Sequence, residues 1–360
     1  MNIPLSQRLE RLTAWFHREN DRPLLGFYLG PQYPLHLFQG CHRNLPDGVI
    51  KPENVVVADY LDDYERLYQC YENTGGDLVW ANTPFFGLPW VEAALGCTVI
   101  ADHQTGSTRS EPPAEFAEHP VVPEFSADNP WVKKMLEFIP ALQEHSHGRY
   151  PVGVTLMRGI SDLLSALYGG DKFVMRMFDN PDEVQAAAGR LTDFWIAFGK
   201  CMLDRVPLFH GGTGAFFYSV WCPGKTIWLQ EDASALLSPD LYERFIFPCD
   251  QRIARAFEHS VIHLHPARFM PVDFLLESDI NVIEIHVDKG GPSARQLFDT
   301  HLKVLARKPL MVWGDLTADD FDFIMGHLPP KGLLVNTAVD SSDQAQVYWD
   351  KFTNIFLKNR

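Results

Sequence analysis

Two short apolar segments carry polar side chains at every second position. In SVIHLHP, His263 and His265 share one face of an extended chain, opposite Ile262 and Leu264. In INVIEIHVD, Glu284, His286 and Asp288 share a face opposite Ile283, Ile285 and Val287. Side chains alternate along a strand, so each set points one way. An H-x-H pair on a strand presents two imidazoles to one point, and a nearby carboxylate completes a divalent-metal site with an open position. The expected ligands are His263, His265 and Glu284, with Asp232 the second choice of carboxylate. Zinc is the expected metal. The alternative is a buried hydrogen-bond network in which these groups satisfy one another without an ion.

Other strand ends carry further chemistry. QEDASALLSP places Glu231 and Asp232 where a strand runs into a helix. Acidic neighbours in a cleft perturb one another's pKa, so Asp232 and Asp288 are the groups expected to move a proton. Asp232 capping loop amides is the structural alternative. Arg158, in TLMRG, fits a bidentate clamp on a substrate carboxylate, or a salt bridge between loops. Tyr28, Asn82, His286 and Trp313 are expected to line the same pocket. The glycines after His210 match no dinucleotide or phosphate-loop spacing, and no GxSxG elbow occurs, so no nucleotide cofactor is expected.

These residues need a frame. Nine short apolar runs bounded by turn residues read as strands: 23–30, 77–84, 150–157, 207–212, 226–232, 260–266, 280–288, 309–316 and 332–339. Helical patterns lie between them, among them Glu53–Glu72, Asn129–Gln143, Asp182–Leu203, Pro239–Glu258 and Ser341–Leu357. Ser238-Pro239-Asp240 combines an N-cap hydroxyl, a first-turn proline and an early carboxylate. The alternation predicts an α/β protein with a parallel sheet, closed as a (β/α)8 TIM barrel whose site lies at the carboxyl ends of the strands. A doubly wound open sheet is the alternative. The reading is one domain over 1–360, with a helical extension at 1–22 and a long loop excursion at 101–128.

Charge narrows the partners. With 46 acidic and 31 basic side chains the formal charge is −15, which disfavours nucleic acid and anionic membrane. No apolar run approaches the ~20 residues of a membrane span, and the amino terminus lacks a signal-peptide core. Six scattered cysteines without a CxxC pair suit reduced thiols in a cytoplasmic protein.

Three stretches carry a family resemblance. PVGVTLMRGISDLLSALYGG followed by FDNPDEV resembles the third-strand region of uroporphyrinogen decarboxylase-like proteins. QEDASALLSPDLYERFIFPCDQRI is similar to their segment ending in an LSPE-F-P pattern, and GDLVWANTPFFGLPWVEAALGC to their second-strand region. The order and spacing match over nearly the whole chain. True decarboxylases of this superfamily carry a paired-arginine RQAGR motif after the first strand, where this chain reads GFYLGPQYP. Their last-strand histidine falls at NTAVDSS. Asn82 stands where they have a pyrrole-binding aspartate, and Asp232 where they have a serine. The corrinoid-dependent methyltransferases of the superfamily hold zinc with an H-x-C pair and a distant cysteine. Here His263-Leu264-His265 takes the H-x-C place, and no cysteine follows Cys249.

The resemblance implies a metal-dependent, methyltransferase-type enzyme acting on a small oxygenated or carboxylated molecule, with a corrinoid protein as a partner. A metal-free decarboxylase or lyase, and a non-catalytic corrinoid- or tetrapyrrole-binding protein, are the alternatives.

Overall fold

A computed structural model describes residues 3–113, 120–215 and 220–356. Strand β1 (Leu24–Leu29) opens the sheet, and β2 (Gly48–Ile50), β3 (Thr98–Asp102) and β4 (Ser107–Glu111) form a separate antiparallel group. Strands β5 (Gly212–Ala215) and β6 (Val220–Pro223) pair as an antiparallel ribbon. Strands β7 (Thr226–Gln230), β8 (His259–Leu264), β9 (Val282–Val287), β10 (Leu310–Gly314) and β11 (Leu333–Val339) join β1 in a six-stranded parallel sheet, ordered β1-β11-β10-β9-β8-β7.

Every residue of β7, β9 and β10 is buried, as parallel strands covered on both faces require. Helices supply the outer cover. Pro181–Leu203 buries Val184, Ala187, Ala188, Leu191, Trp195, Phe198 and Met202, a stripe at three- and four-residue spacing. Ala318–His327 starts with a capping box: Asp320 N–H donates to Thr317 Oγ1 at 3.1 Å, and Thr317 N–H to Asp320 Oδ2 at 3.2 Å. The Ser238 cap is also formed, accepting from Leu241 N at 3.3 Å. Beyond it the chain runs Pro239–Leu241, a wider π turn Tyr242–Ile246, and then Phe247–Ala256. Pro248 has no amide hydrogen to continue the regular ladder there.

The expected eight-stranded closure is not seen among the described residues: six strands form the parallel ladder, and two further segments join it only through single contacts. Asp77 N–H donates to Leu25 O at 2.8 Å. Asn82 then forms a single parallel bridge with Val152, and Arg158 another with Gln230 of β7. Two features interrupt the ladders. Pro84 and Pro151 donate no hydrogen bond, and the β5–β6 ribbon takes the amide of Val154, which donates to Gly214 O at 3.1 Å. Gly153 is needed at that approach, since a Cβ there would lie 1.9 Å from Gly214 O.

Other expectations are corrected. The run 207–212 is not a strand of the parallel sheet; it leads into the β5–β6 ribbon, where Gly212 and Gly214 are closely packed, since a Cβ there would lie 2.2 Å from Trp221 and 2.5 Å from Ala81. The excursion 101–128 is not all loop, because β3 and β4 pair across Asp102–Ser107; residues 114–119 lie outside those described. The helix expected from Glu53 starts at Ala58, because Pro52–Asn54 forms a 3-10 turn instead.

The amino-terminal extension is helical over Leu5–Phe16 and seals one end of the sheet. Trp15 Nε1 donates to Gly332 O at 3.0 Å, just before β11. Arg11 and Arg22 both bind Asp77, which is fully buried. Among the described residues, no helix is long and apolar enough to cross a membrane.

Candidate metal centre

Register builds the site. His263 of β8 lies opposite Gln230 of β7 on one side and Glu284 of β9 on the other. One step further along the strands, His286 lies opposite Trp313, and Trp313 opposite Asn336. Residues in direct parallel register share a face, so the alternation of HSVIHL and VIEIHV delivers His263, Glu284 and His286 to one side. His265 and Asp288 follow at the carboxyl ends of their strands, and Asp232 follows β7. All three have side chains between a third and two-fifths exposed, at 35%, 39% and 37%. They form the mouth of a cluster whose floor is buried.

The distances are close. His263 Nδ1 and Glu284 Oε2 share a hydrogen bond. His265 Nδ1 bonds both oxygens of Asp288, at 2.9 and 3.0 Å. The opposite ring nitrogens of both histidines face Asp232 Oδ1: His263 Nε2 at 3.8 Å and His265 Nε2 at 3.9 Å. His286 Nε2 lies 3.5 Å from Asp288 Oδ1. Three sets of ligand-capable atoms lie within 4.8 Å of one another: Asp232, His263 and His265; His263, Glu284 and His286; and His265, His286 and Asp288. Asp232 Oδ1, Glu284 Oε1 and His286 Nδ1 are buried without a hydrogen bond.

Burial dominates the electrostatics. It pushes His263 down to about 4 and His286 down to about 2, in both cases helped by the neighbouring imidazoles, so both rings are neutral near pH 7. Burial also pushes His265 down, but Asp232 and Asp288 together outweigh it and the net shift is upward. Glu284 is raised by burial.

The lining residues fall as follows. Trp313 is fully buried and packs against His286 at 4.5 Å between ring centroids, and Tyr28 meets Trp313 edge-on at 5.6 Å. Asn82 is buried, and neither its amide oxygen nor its nitrogen has a hydrogen-bond partner. Arg158 is not a free clamp. Its guanidinium lies 3.2 Å from the buried carboxylate of Glu92, which is the main cause of its raised pKa.

Two acidic groups, Glu92 and Asp162, escaped the sequence reading. Glu92 sits in the otherwise apolar helix Trp90–Ala94, and a charge amid PWVEAALG was the available signal. Asp162 accepts the amides of Asp232 and Ala233 at 3.0 and 3.1 Å, fixing the loop that carries Asp232. Glu231 turns away from the cluster and accepts the amides of Ile160 and Ser161 at 2.6 and 3.0 Å. Gly159 makes that possible, because a Cβ there would lie 2.0 Å from Glu231 Oε1.

No family profile matches this sequence, and no curated protein matches it. The fold is shared with a solved structure. A methyltransferase from Methanosarcina mazei superposes with a TM-score of 0.64 at 16% identity, over 96% of this chain and 99% of that one. A protein titled KGPDC from Streptococcus mutans aligns with 61% of this chain and 93% of its own at 12% identity, but its TM-score of 0.27 carries no structural argument. The chain thus has the α/β fold of a methyltransferase along nearly its whole length.

Proposed function

We propose that this chain is a cytoplasmic metal-dependent enzyme of the uroporphyrinogen decarboxylase-like superfamily, of methyltransferase type. In this reading it is one (β/α)8 domain, with the bridged segments 77–82 and 152–158 as the two strands that complete the barrel. The observation that carries the proposal is that His263 Nε2 and His265 Nε2 face the same oxygen, Asp232 Oδ1, at 3.8 and 3.9 Å. Spacings of that size suit three donors around one cation, with metal–ligand bonds of about 2.0–2.2 Å.

The remaining carboxylates fit the same assignment. Glu284 and Asp288 hold the Nδ1 atoms, the arrangement that orients metal-bound imidazoles. With a cation held by its other ring nitrogen, His263 would keep its proton on Nδ1, and Glu284 would accept that proton's hydrogen bond as a carboxylate. Asp232 thereby becomes the ligand and Glu284 its support, the reverse of the order suggested by sequence. Two nitrogens and one oxygen, with no thiolate, suit zinc or another divalent transition metal.

When bound, such a metal polarises a substrate oxygen and lowers its pKa. In this reading Asp288, at the mouth, takes the released proton, while Trp313 and His286 wall the inner side. The fold shared with the methyltransferase from Methanosarcina mazei is compatible with methyl transfer, and the sequence resemblance adds a small-molecule substrate and a corrinoid protein as partner.

Elemental analysis tests the proposal. Protein purified without chelator and equilibrated with zinc should hold one equivalent. Asp232→Ala and His265→Ala should each hold none while keeping the wild-type far-UV spectrum. A wild-type chain that retains no zinc, or a full equivalent in both variants, overturns it.

A further inference from the structure

Beside the metal cluster lies a separate cavity of about 210 Å³, between the loop after β1, the β3–β4 hairpin and the segment ending at Arg158. Phe86, Leu88 and Leu156 give it apolar walls, and Arg158 and Glu92 are its charged groups. It adjoins the cluster through the backbone bridge between Arg158 and Gln230, whose side chain donates to Asp232 at 2.7 Å.

The ion pair sets what the cavity accepts. Glu92 is 1% exposed, and its Oε1 lies 3.2 Å from Arg158 Nη1, yet this oxygen takes no well-directed hydrogen bond. A buried acceptor therefore remains open next to a guanidinium with donors to spare. A second carboxylate brought to Arg158, whose side chain is 38% exposed, would sit against the buried carboxylate of Glu92, and the like charges would repel. A cation brought to Glu92 would meet Arg158 in the same way.

We infer that this cavity binds a small, flat, electrically neutral group presenting a donor and an acceptor side by side, of the carboxamide class, with an apolar portion against Phe86, Leu88 and Leu156. Assigning that group to the substrate rests on the proposed function. The binding selectivity does not.

Three probes of one shape and different charge test the inference: benzamide, benzoate and benzamidinium, titrated calorimetrically into the full chain after chelator treatment. Benzamide should bind at least tenfold more tightly than either ion. Glu92→Gln releases Arg158 and should improve benzoate at least tenfold, while Arg158→Gln should improve benzamidinium. Wild-type protein that prefers either ion, or that binds no benzamide at millimolar concentration, overturns the inference without reference to the variants. Zinc uptake, measured on a second aliquot of the same protein that was never exposed to chelator and was equilibrated with zinc, separates the two readings. Benzamide selectivity without zinc binding would remove the metal centre and leave the cavity, and zinc binding without selectivity would do the reverse.

Discussion

Glu284 stands directly opposite His263 in the β8–β9 register, and its carboxylate bonds the imidazole Nδ1. Both side chains are almost completely buried. The ring is therefore held in one orientation, with Nε2 directed toward Asp232. His265 and Asp288 form a second histidine–carboxylate bond nearer the mouth, although Asp288 lies two residues beyond the β8–β9 register position of His265. Two adjacent parallel strands thus supply two histidine–carboxylate pairs facing a third carboxylate.

If Asp232 is a ligand and Glu284 a support, their substitutions should differ in degree. Glu284→Gln should weaken zinc binding about 10–100-fold, the usual cost of losing an orienting partner. Asp232→Ala should abolish binding. Competition against a chelator of known affinity measures both, and equal losses would argue against the division of roles.

The two histidines should also differ in the metal-free protein. His263→Ala strands a buried Glu284 carboxyl and should cost about 1–3 kcal/mol of stability. His265 and Asp288 are both partly solvated, so His265→Ala should cost less than about 1 kcal/mol. Urea denaturation in the presence of chelator reads the difference, and similar midpoints would show that Glu284 is satisfied some other way.

Much of this site was legible because strands alternate faces with a fixed period. That rule alone placed His263, His265, Glu284, His286 and Asp288 together, and the parallel register then brought them within bonding distance. The rule fails where hydrogen bonding is irregular. Segments 77–84 and 150–157 read as ordinary strands from their apolar content, but prolines and the β5–β6 ribbon leave them only isolated bridges. The Arg158–Glu92 pair was hidden for another reason. The two residues are 66 positions apart, and which carboxylate meets an arginine is decided by tertiary packing. The choice between Glu284 and Asp232 as ligand depends on which ring nitrogen each faces, which spacing does not encode.

Asp77 ties the amino-terminal extension to the sheet. It is fully buried and accepts hydrogen bonds from Arg11, from both terminal nitrogens of Arg22 at 2.7 Å, and from Leu25 N at 3.0 Å. Asp77→Ala leaves the buried Arg22 guanidinium without its counter-charge. The expected loss is about 3–5 kcal/mol, the range for breaking one side of a buried pair. A thermal melt that shifts by no more than an ordinary surface substitution would mean that Trp15 and its apolar neighbours hold the extension alone.

Asp250 should make the fold sensitive to pH near neutrality. Its side chain is fully buried and accepts the Tyr242 hydroxyl at 2.5 Å, with the carboxyl groups of Glu231 and Asp162 acting on it. Burial, the largest influence, pushes Asp250 up to about 7. A carboxyl group whose pKa is higher folded than unfolded binds more protons in the folded state. Its stabilisation is complete below the unfolded value near 3.8 and is lost as pH rises through about 7. The full loss is ~4 kcal/mol, of which about 1 kcal/mol falls between pH 6 and pH 8. Asp250→Asn keeps an acceptor for Tyr242 and removes the titration. Wild-type stability, measured by urea unfolding, should therefore decline from pH 6 to pH 8 more steeply than that of Asp250→Asn. Glu231, raised by burial and also by Asp250 itself, titrates together with it, so the difference between the two proteins reports the pair. Parallel curves would show that Asp250 is ionised in the fold across this range, with its charge met by groups other than a bound proton.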